Sequence, residues 1–179
     1  DVEVRHAYRR RDVEDVDAVE AVARPHLVVG RGGPLPLARH PHHEVVVEHL
    51  QPAYLLRFLD LSFEKLQPGG TLVLETLNPA CWTAFFESYI RDITHRWPLH
   101  PDTLKYLVTA SGFTRAGIEY RSPIPAHDRL QPVVVPASAD GMLKDVVEIF
   151  NGNFDKLNAR MFTFMDYAIV ATKAGSTSE

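Results

Sequence analysis

The chain has 179 residues, 45% of them hydrophobic and 23% charged, which suits one soluble globular domain with a sizeable core. Nineteen basic against 23 acidic side chains give a formal charge of −4, a mild balance that argues against a dedicated nucleic-acid surface. No apolar run approaches the ~18 residues of a transmembrane segment, and no signal-peptide core opens the chain. The single cysteine, Cys81, excludes an internal disulfide and fits a cytoplasmic setting. Asp1 in place of Met points to a fragment or a processed product.

Residues 1–7 alternate as a strand does, with Val2 and Val4 on one face. The next 35 positions, Arg9 to His43, use only nine residue types and contain no Lys, Ser, Thr, Ile, Phe, Asn or Gln. All nine types can be written with codons beginning in C or G. Either this segment is read from a shifted frame of a GC-rich gene, or it is an Arg/Pro/His-rich loop. In both cases little strand structure and few long-range contacts are expected of it. Gly30-Arg31-Gly32-Gly33 follows Leu27-Val28-Val29 as a phosphate loop follows a strand, but Pro34 and Pro36 leave no helix N-terminus to hold a phosphate. His40, His42 and His43 lack a Cys or carboxylate partner at a defined spacing, so the reading assigns no metal site to them.

From Glu44 onward the pattern is that of a regular fold. Val45-Val46-Val47 reads as the end of a buried strand, with Glu48-His49 directly after it. Pro52 opens a helix whose apolar face is Leu55, Phe58, Leu59, Phe63 and Leu66. Pro68-Gly69-Gly70 ends it, and Leu72-Val73-Leu74 gives a strand buried on both faces that stops at Asn78-Pro79. Ligands of such sheets sit beyond the carboxyl ends of the strands, which singles out Glu75, Thr76 and Asn78.

Trp82, Phe85, Phe86, Tyr89, Ile90 and Ile93 then trace one helical stripe, read as core. Asp92 and His95, three apart, are expected as neighbours on that helix. His100-Pro101-Asp102 starts another helix, and Gly112 ends it. Ala116, Ile118 and Tyr120 mark a strand with one polar face, and residues 122–139 a proline-spaced loop. A helix over about residues 141–157 is expected to bury Leu143, Val146, Val147, Phe150 and Phe154. Residues 166–173 close the fold as a strand, and 174–179 read as a disordered tail.

In its order of elements, the part from Glu44 to Lys173 resembles the C-terminal two-thirds of a class I S-adenosylmethionine-dependent methyltransferase. Val46-Val47-Glu48-His49-Leu50 is similar to the family's fourth strand and following loop, and Leu66-Gln67-Pro68-Gly69-Gly70 to its "Leu-Lys-Pro-Gly-Gly" turn before strand five. Glu75 to Pro79, Glu87 to Asp92 and Pro98 to Pro101 resemble bacterial members often associated with cell-surface saccharide or glycolipid genes. The resemblance implies an α/β fold: an incomplete Rossmann-like sheet, mostly parallel with an antiparallel last strand and helices on its faces. It also implies S-adenosylmethionine as cofactor, with Val45, Val46 and Glu48 beside it, and a small-molecule or saccharide acceptor. Residues 1–7 resemble the third strand, but Tyr8 and Arg9 stand where an aspartate is usual. The family's first strand, its Gly-x-Gly-x-Gly loop and the acidic residue of its second strand are absent, so weak cofactor binding or none is expected.

The candidate catalytic residues are His49, Asn78, Asp92, His95 and His100. His49 is either a base or cofactor contact past a strand end, or a residue capping the next helix. Asn78 either orients an acceptor hydroxyl or serves an Asn-Pro turn. Asp92, His95 and His100 either form an acid/base group that deprotonates a sugar hydroxyl or are a solvated cluster. Two functions follow: a methyltransferase, or a non-catalytic Rossmann-like remnant acting as an interaction module. Oligomeric state is not legible.

Overall fold

The computed structural model describes residues 47–175. The expected strand at residues 1–7, the segment 9–43, Val45, Val46 and the last four residues of the tail lie outside the described residues. The described part runs through helix α1 (Pro52–Lys65), strand β1 (Thr71–Leu77), a π-helical turn (Ala84–Tyr89), helix α2 (Pro101–Ala110), strand β2 (Thr114–Pro123), helix α3 (Gly141–Met161) and strand β3 (Phe164–Thr172).

Local chemistry sets the boundaries. Pro52 and Pro101 stand at the first helical position, where a missing N–H costs nothing. Gly69 adopts φ 79°, and a Cβ on Gly70 would lie 2.8 Å from the Gln67 carbonyl, so the turn before β1 needs both glycines. Gly112, at φ 105°, closes α2 against the Phe63 ring.

Among the described residues the sheet has three strands in the order β1-β3-β2, and β3 runs antiparallel to both neighbours. This corrects the expected mostly parallel sheet, while the antiparallel last strand is as expected. β1 and β2 point the same way but never pair, because β3 returns between them and takes the inner edge of each. A bulge between Thr114 and Gly117, with Arg115 at φ 51°, adjusts the start of β2.

β1 alternates strictly: Leu72, Leu74 and Thr76 are buried, and Thr71, Val73, Glu75 and Leu77 half-buried. It is therefore fully buried on one face only, not on two. That face meets Leu55, Phe58 and Leu59 of α1, Leu104 and Val108 of α2, and Tyr167, Ile169 and Ala171 of β3 in one core. Lys173 fastens the end of α1 to the sheet by donating to the Phe63 and Leu66 carbonyls at 2.6 and 2.8 Å.

Two expected core faces are on the surface instead. The 82–93 stripe is wound as a π turn, with Ile90 N–H donating to the Phe85 carbonyl five residues back, and it ends before Asp92. Only Tyr89 of the stripe is buried; Trp82, Phe86, Ile90 and Ile93 are exposed. α3 is longer than expected and none of its residues is buried; Leu143, Val146 and Phe150 are exposed, and Val147 and Phe154 half-buried. Three- and four-residue spacing places side chains on one face, but the face is buried only where another element lies on it. Among the described residues no helix is long and apolar enough to cross a membrane.

Candidate functional site

Past the carboxyl end of β1, two short segments meet. One is the 3-10 turn Val47–His49, the other the loop that follows the π turn. Val47, read as the end of a strand, belongs to that 3-10 turn. The Glu48 carbonyl accepts the Arg96 N–H at 2.8 Å and the Trp97 N–H at 3.4 Å, which docks the two segments together. In the loop, Asp92 Oδ1 accepts both the Thr94 N–H (2.8 Å) and the Thr94 hydroxyl (2.6 Å). This side-chain turn, closed by the His95 N–H on the Asp92 carbonyl, brings Asp92 beside His95. The two are neighbours as expected, but through a turn and not on a helix.

The hydrogen bonds fix both imidazoles. His95 Nδ1 lies 2.7 Å from the Tyr89 carbonyl, which can only accept, so Nδ1 carries the proton. Its Nε2 then faces Glu48 Oε1 and Asp92 Oδ2, each at 3.8 Å. Thr94 spends its one hydroxyl proton on Asp92, so it accepts from His49 Nδ1 at 3.0 Å and leaves His49 Nε2 with a free lone pair. The two imidazoles lie with ring centroids 4.7 Å apart, and Tyr89 stacks on His95 at the same distance.

Glu48 is the electrostatic centre. It is 1% exposed and accepts the Thr76 hydroxyl at 3.0 Å. Burial pushes its carboxyl above the usual range; the hydrogen bonds and the two nearby imidazoles oppose that shift without cancelling it. Tyr89 is pushed up to about 12, first by burial and then by the Glu48 charge, and its hydroxyl has no partner among the described residues. Asp92 is shifted the other way. The two hydrogen bonds from Thr94 hold its carboxyl below the ordinary value.

A pH prediction follows. A carboxyl whose folded pKa is raised adds stability below its unfolded value, near 4.5, and that stability fades as pH climbs through the folded value. Glu48→Gln keeps an acceptor for Thr76 and removes the buried charge. In chelator-containing buffer, its melting temperature should exceed that of the parent chain at pH 7–8, and the gap should close towards pH 4. A gap that widens on acidification contradicts this account.

The remaining candidates lie apart. Asn78 is 2% exposed, donates to the Phe164 carbonyl at 3.0 Å and accepts the Ala80 N–H at 3.1 Å, so its side chain is occupied in holding the turn after β1. His100 caps α2 as a neutral ring, since its Nδ1 accepts the Asp102 N–H at 3.3 Å. That assignment excludes a charged pair between the same nitrogen and Asp102 Oδ2 at 3.6 Å. His100 also lines a cavity of about 490 Å³ with Pro79, Trp82, Phe85, Phe86 and Pro98. This cavity connects to the histidines through stacked rings, Phe85 on Tyr89 (5.6 Å) and Tyr89 on His95. Glu75, on the other face of β1, pairs with Arg121 at 3.0 Å and takes no part. Sequence reasoning passed over Thr94 and Tyr89. An Asp-x-Thr run is a turn signature that points to Thr94, whereas the role of Tyr89 is carried by its backbone carbonyl and leaves no sequence signal.

Fold and site together define an α/β domain with a histidine–carboxylate cluster at the end of a sheet strand. No protein-family model matches the chain, and no curated protein matches it. Among solved structures, the chain is similar to a SAM-dependent methyltransferase from Archaeoglobus fulgidus, at 31% identity with a TM-score of 0.62. The match covers 72% of this chain and 56% of that one, so the chain spans little more than half the archaeal protein's length. That likeness supports a kinship with the S-adenosylmethionine-dependent methyltransferases over the matched residues.

Proposed function

We propose that this chain carries the acceptor side of an S-adenosylmethionine-dependent methyl transfer to a hydroxyl of a small molecule, a saccharide or a glycolipid. The observation that supports it most is the chain Asp92–Thr94–His49, which holds Nδ1 and leaves Nε2 with a free lone pair. The acceptor O–H bond breaks as its proton passes to His49 Nε2, and the oxygen keeps the electron pair as nucleophile. The new imidazolium keeps its Nδ1–H on Thr94, with the Asp92 carboxylate beyond. A positioned base of this kind contributes about 10²–10⁴-fold. The aromatic walls of the adjoining cavity suit the apolar face of a sugar ring or an acyl chain, and this favours the saccharide or glycolipid class.

The cofactor supplies the methyl group when bound. A dinucleotide-like cradle needs backbone N–H groups at a glycine-rich strand-to-helix turn and a carboxylate for ribose hydroxyls. Among the described residues, Gly69-Gly70 leads into a strand, and Glu48 is turned to Thr76 and His95. The described residues do not fit that cradle. Calorimetry on the 179-residue chain should therefore give a Kd weaker than micromolar, because two missing charge-assisted hydrogen bonds cost about 3–6 kcal/mol.

Methyl transfer to a panel of saccharide and phenolic hydroxyls at millimolar cofactor tests the reading. Turnover that falls with His49→Ala supports it. Micromolar cofactor binding abolished by His49→Ala would move the cofactor onto this cluster. The non-catalytic reading has its own support in the exposed face of α3, with Met142, Val146, Ile149 and Phe150. Absence of transfer to every acceptor at saturating cofactor favours it.

A further inference from the structure

Glu48, His49 and His95 bring one donor atom each to within 4.8 Å of one another. A carboxylate and two imidazoles form the donor set of many transition-metal sites, whereas oxygen-only sets suit magnesium and calcium. The other polar atoms of these side chains are already held. Glu48 Oε2 accepts the Thr76 hydroxyl, His95 Nδ1 donates to the Tyr89 carbonyl, and His49 Nδ1 donates to Thr94. What remains is Glu48 Oε1 and the two Nε2 atoms. Bonds from the distal imidazole nitrogen to a carbonyl or hydroxyl fix tautomer and ring orientation, as they do around metal ligands.

The surroundings favour a cation as well. Glu48 and His95 are 1% and 9% exposed, so these two donors are largely shielded from water, while His49 is half-buried. Asp92 Oδ2, 3.8 Å from His95 Nε2, adds a second carboxylate on the solvent side. The Tyr89 hydroxyl, buried and without a partner among the described residues, belongs to the ring stacked on His95. Donors bound at about 2.0–2.2 Å to one ion lie roughly 3–3.6 Å from each other. The His95–Glu48 pair, at 3.8 Å, is almost at that spacing, and each of the three residues offers a donor atom within 4.8 Å of the others.

We propose that Glu48, His49 and His95 bind one divalent first-row transition ion of the cobalt-to-zinc type. The sequence reading assigned no metal to this chain. This proposal does not rest on the methyltransferase reading, and it meets it at one point: an ion on His49 Nε2 excludes that nitrogen as a base. Transfer by the metal-free chain therefore tests the base, and ion titration tests the site.

The experiment titrates the chelator-treated, dialysed 179-residue chain with CoCl2 by visible absorption, with ZnCl2 competition by calorimetry. One saturable Co2+ per chain is expected, displaced by Zn2+. His95→Ala and Glu48→Gln should each weaken binding at least about 100-fold, and Thr94→Val about 10-fold or more through His49. Circular dichroism reports whether each variant folds. In the parent chain, Co2+ should selectively shift the imidazole proton signals of two histidines, a readout that needs no variant. Replacing His40, His42 and His43 together by alanine should leave binding unchanged. Absence of saturable Co2+ absorption, indifference to both Glu48→Gln and Thr94→Val, or loss of binding on the triple replacement would overturn the proposal.

Discussion

Replacing His49 by alanine should lower kcat for methyl transfer by about 10²–10⁴-fold, with little change in KM for the acceptor. The split is the informative part. A base contributes to the transition state, whereas a residue that only shapes the pocket shifts KM. His100→Ala, at the wall of the aromatic cavity, should act on KM instead. Thr94→Val should give a smaller loss in kcat than His49→Ala, because it keeps Nε2 while freeing Nδ1 from its partner. Equal losses from His49→Ala and His100→Ala, both in KM alone, would leave no base at His49.

Tyr167→Ala should destabilise the chain by about 3–5 kcal/mol in denaturant unfolding, with an unchanged m-value. Tyr167 is fully buried at the middle of β3, opposite Thr76 of β1 and Tyr120 of β2. Its removal opens a cavity where the strands meet α1 and α2. Its hydroxyl also donates to the Leu99 carbonyl at 2.7 Å, which ties the segment between His95 and α2 to the sheet. Tyr167→Phe keeps the ring and strands that buried carbonyl, at about 1–3 kcal/mol. A near-neutral Tyr167→Phe with a costly Tyr167→Ala would show that the ring alone matters. Burial raises the Tyr167 phenol, so both effects should hold across neutral pH.

The elements that the sequence made legible are those whose cause is local. Pro52, Pro101, Pro68-Gly69-Gly70 and Gly112 act through backbone geometry within a few residues, and the helices and strands begin and end beside them. Thr76 and Glu48-His49 stood out as candidate site residues because strand ends concentrate polar groups where a ligand has access, although Glu48-His49 lies in a 3-10 turn. Asp92 and His95 were legible as a pair, but for the wrong reason. The expected helix stops at Tyr89, and Asp92 builds a turn by binding Thr94. His100 was grouped with them on sequence distance, yet it begins α2 and faces the aromatic cavity.

By itself the sequence determined where the chain turns, which side chains share a face, and that the described part is α/β. Those properties depend on φ preferences and on side-chain periodicity, which act over a few bonds. Only the tertiary structure decided that β3 returns between β1 and β2, because strand order depends on which edges meet, and an apolar run carries no record of its neighbour. Burial was decided in the same way. Trp82, Phe86 and much of the face of α3 have the periodicity of core positions and stay exposed, since no packed layer among the described residues covers them and only the loop at Leu130 and Val133 reaches α3. The site itself is a tertiary product. Glu48 and His95 are 47 positions apart in the sequence and meet because the Glu48 carbonyl takes the N–H groups of Arg96 and Trp97.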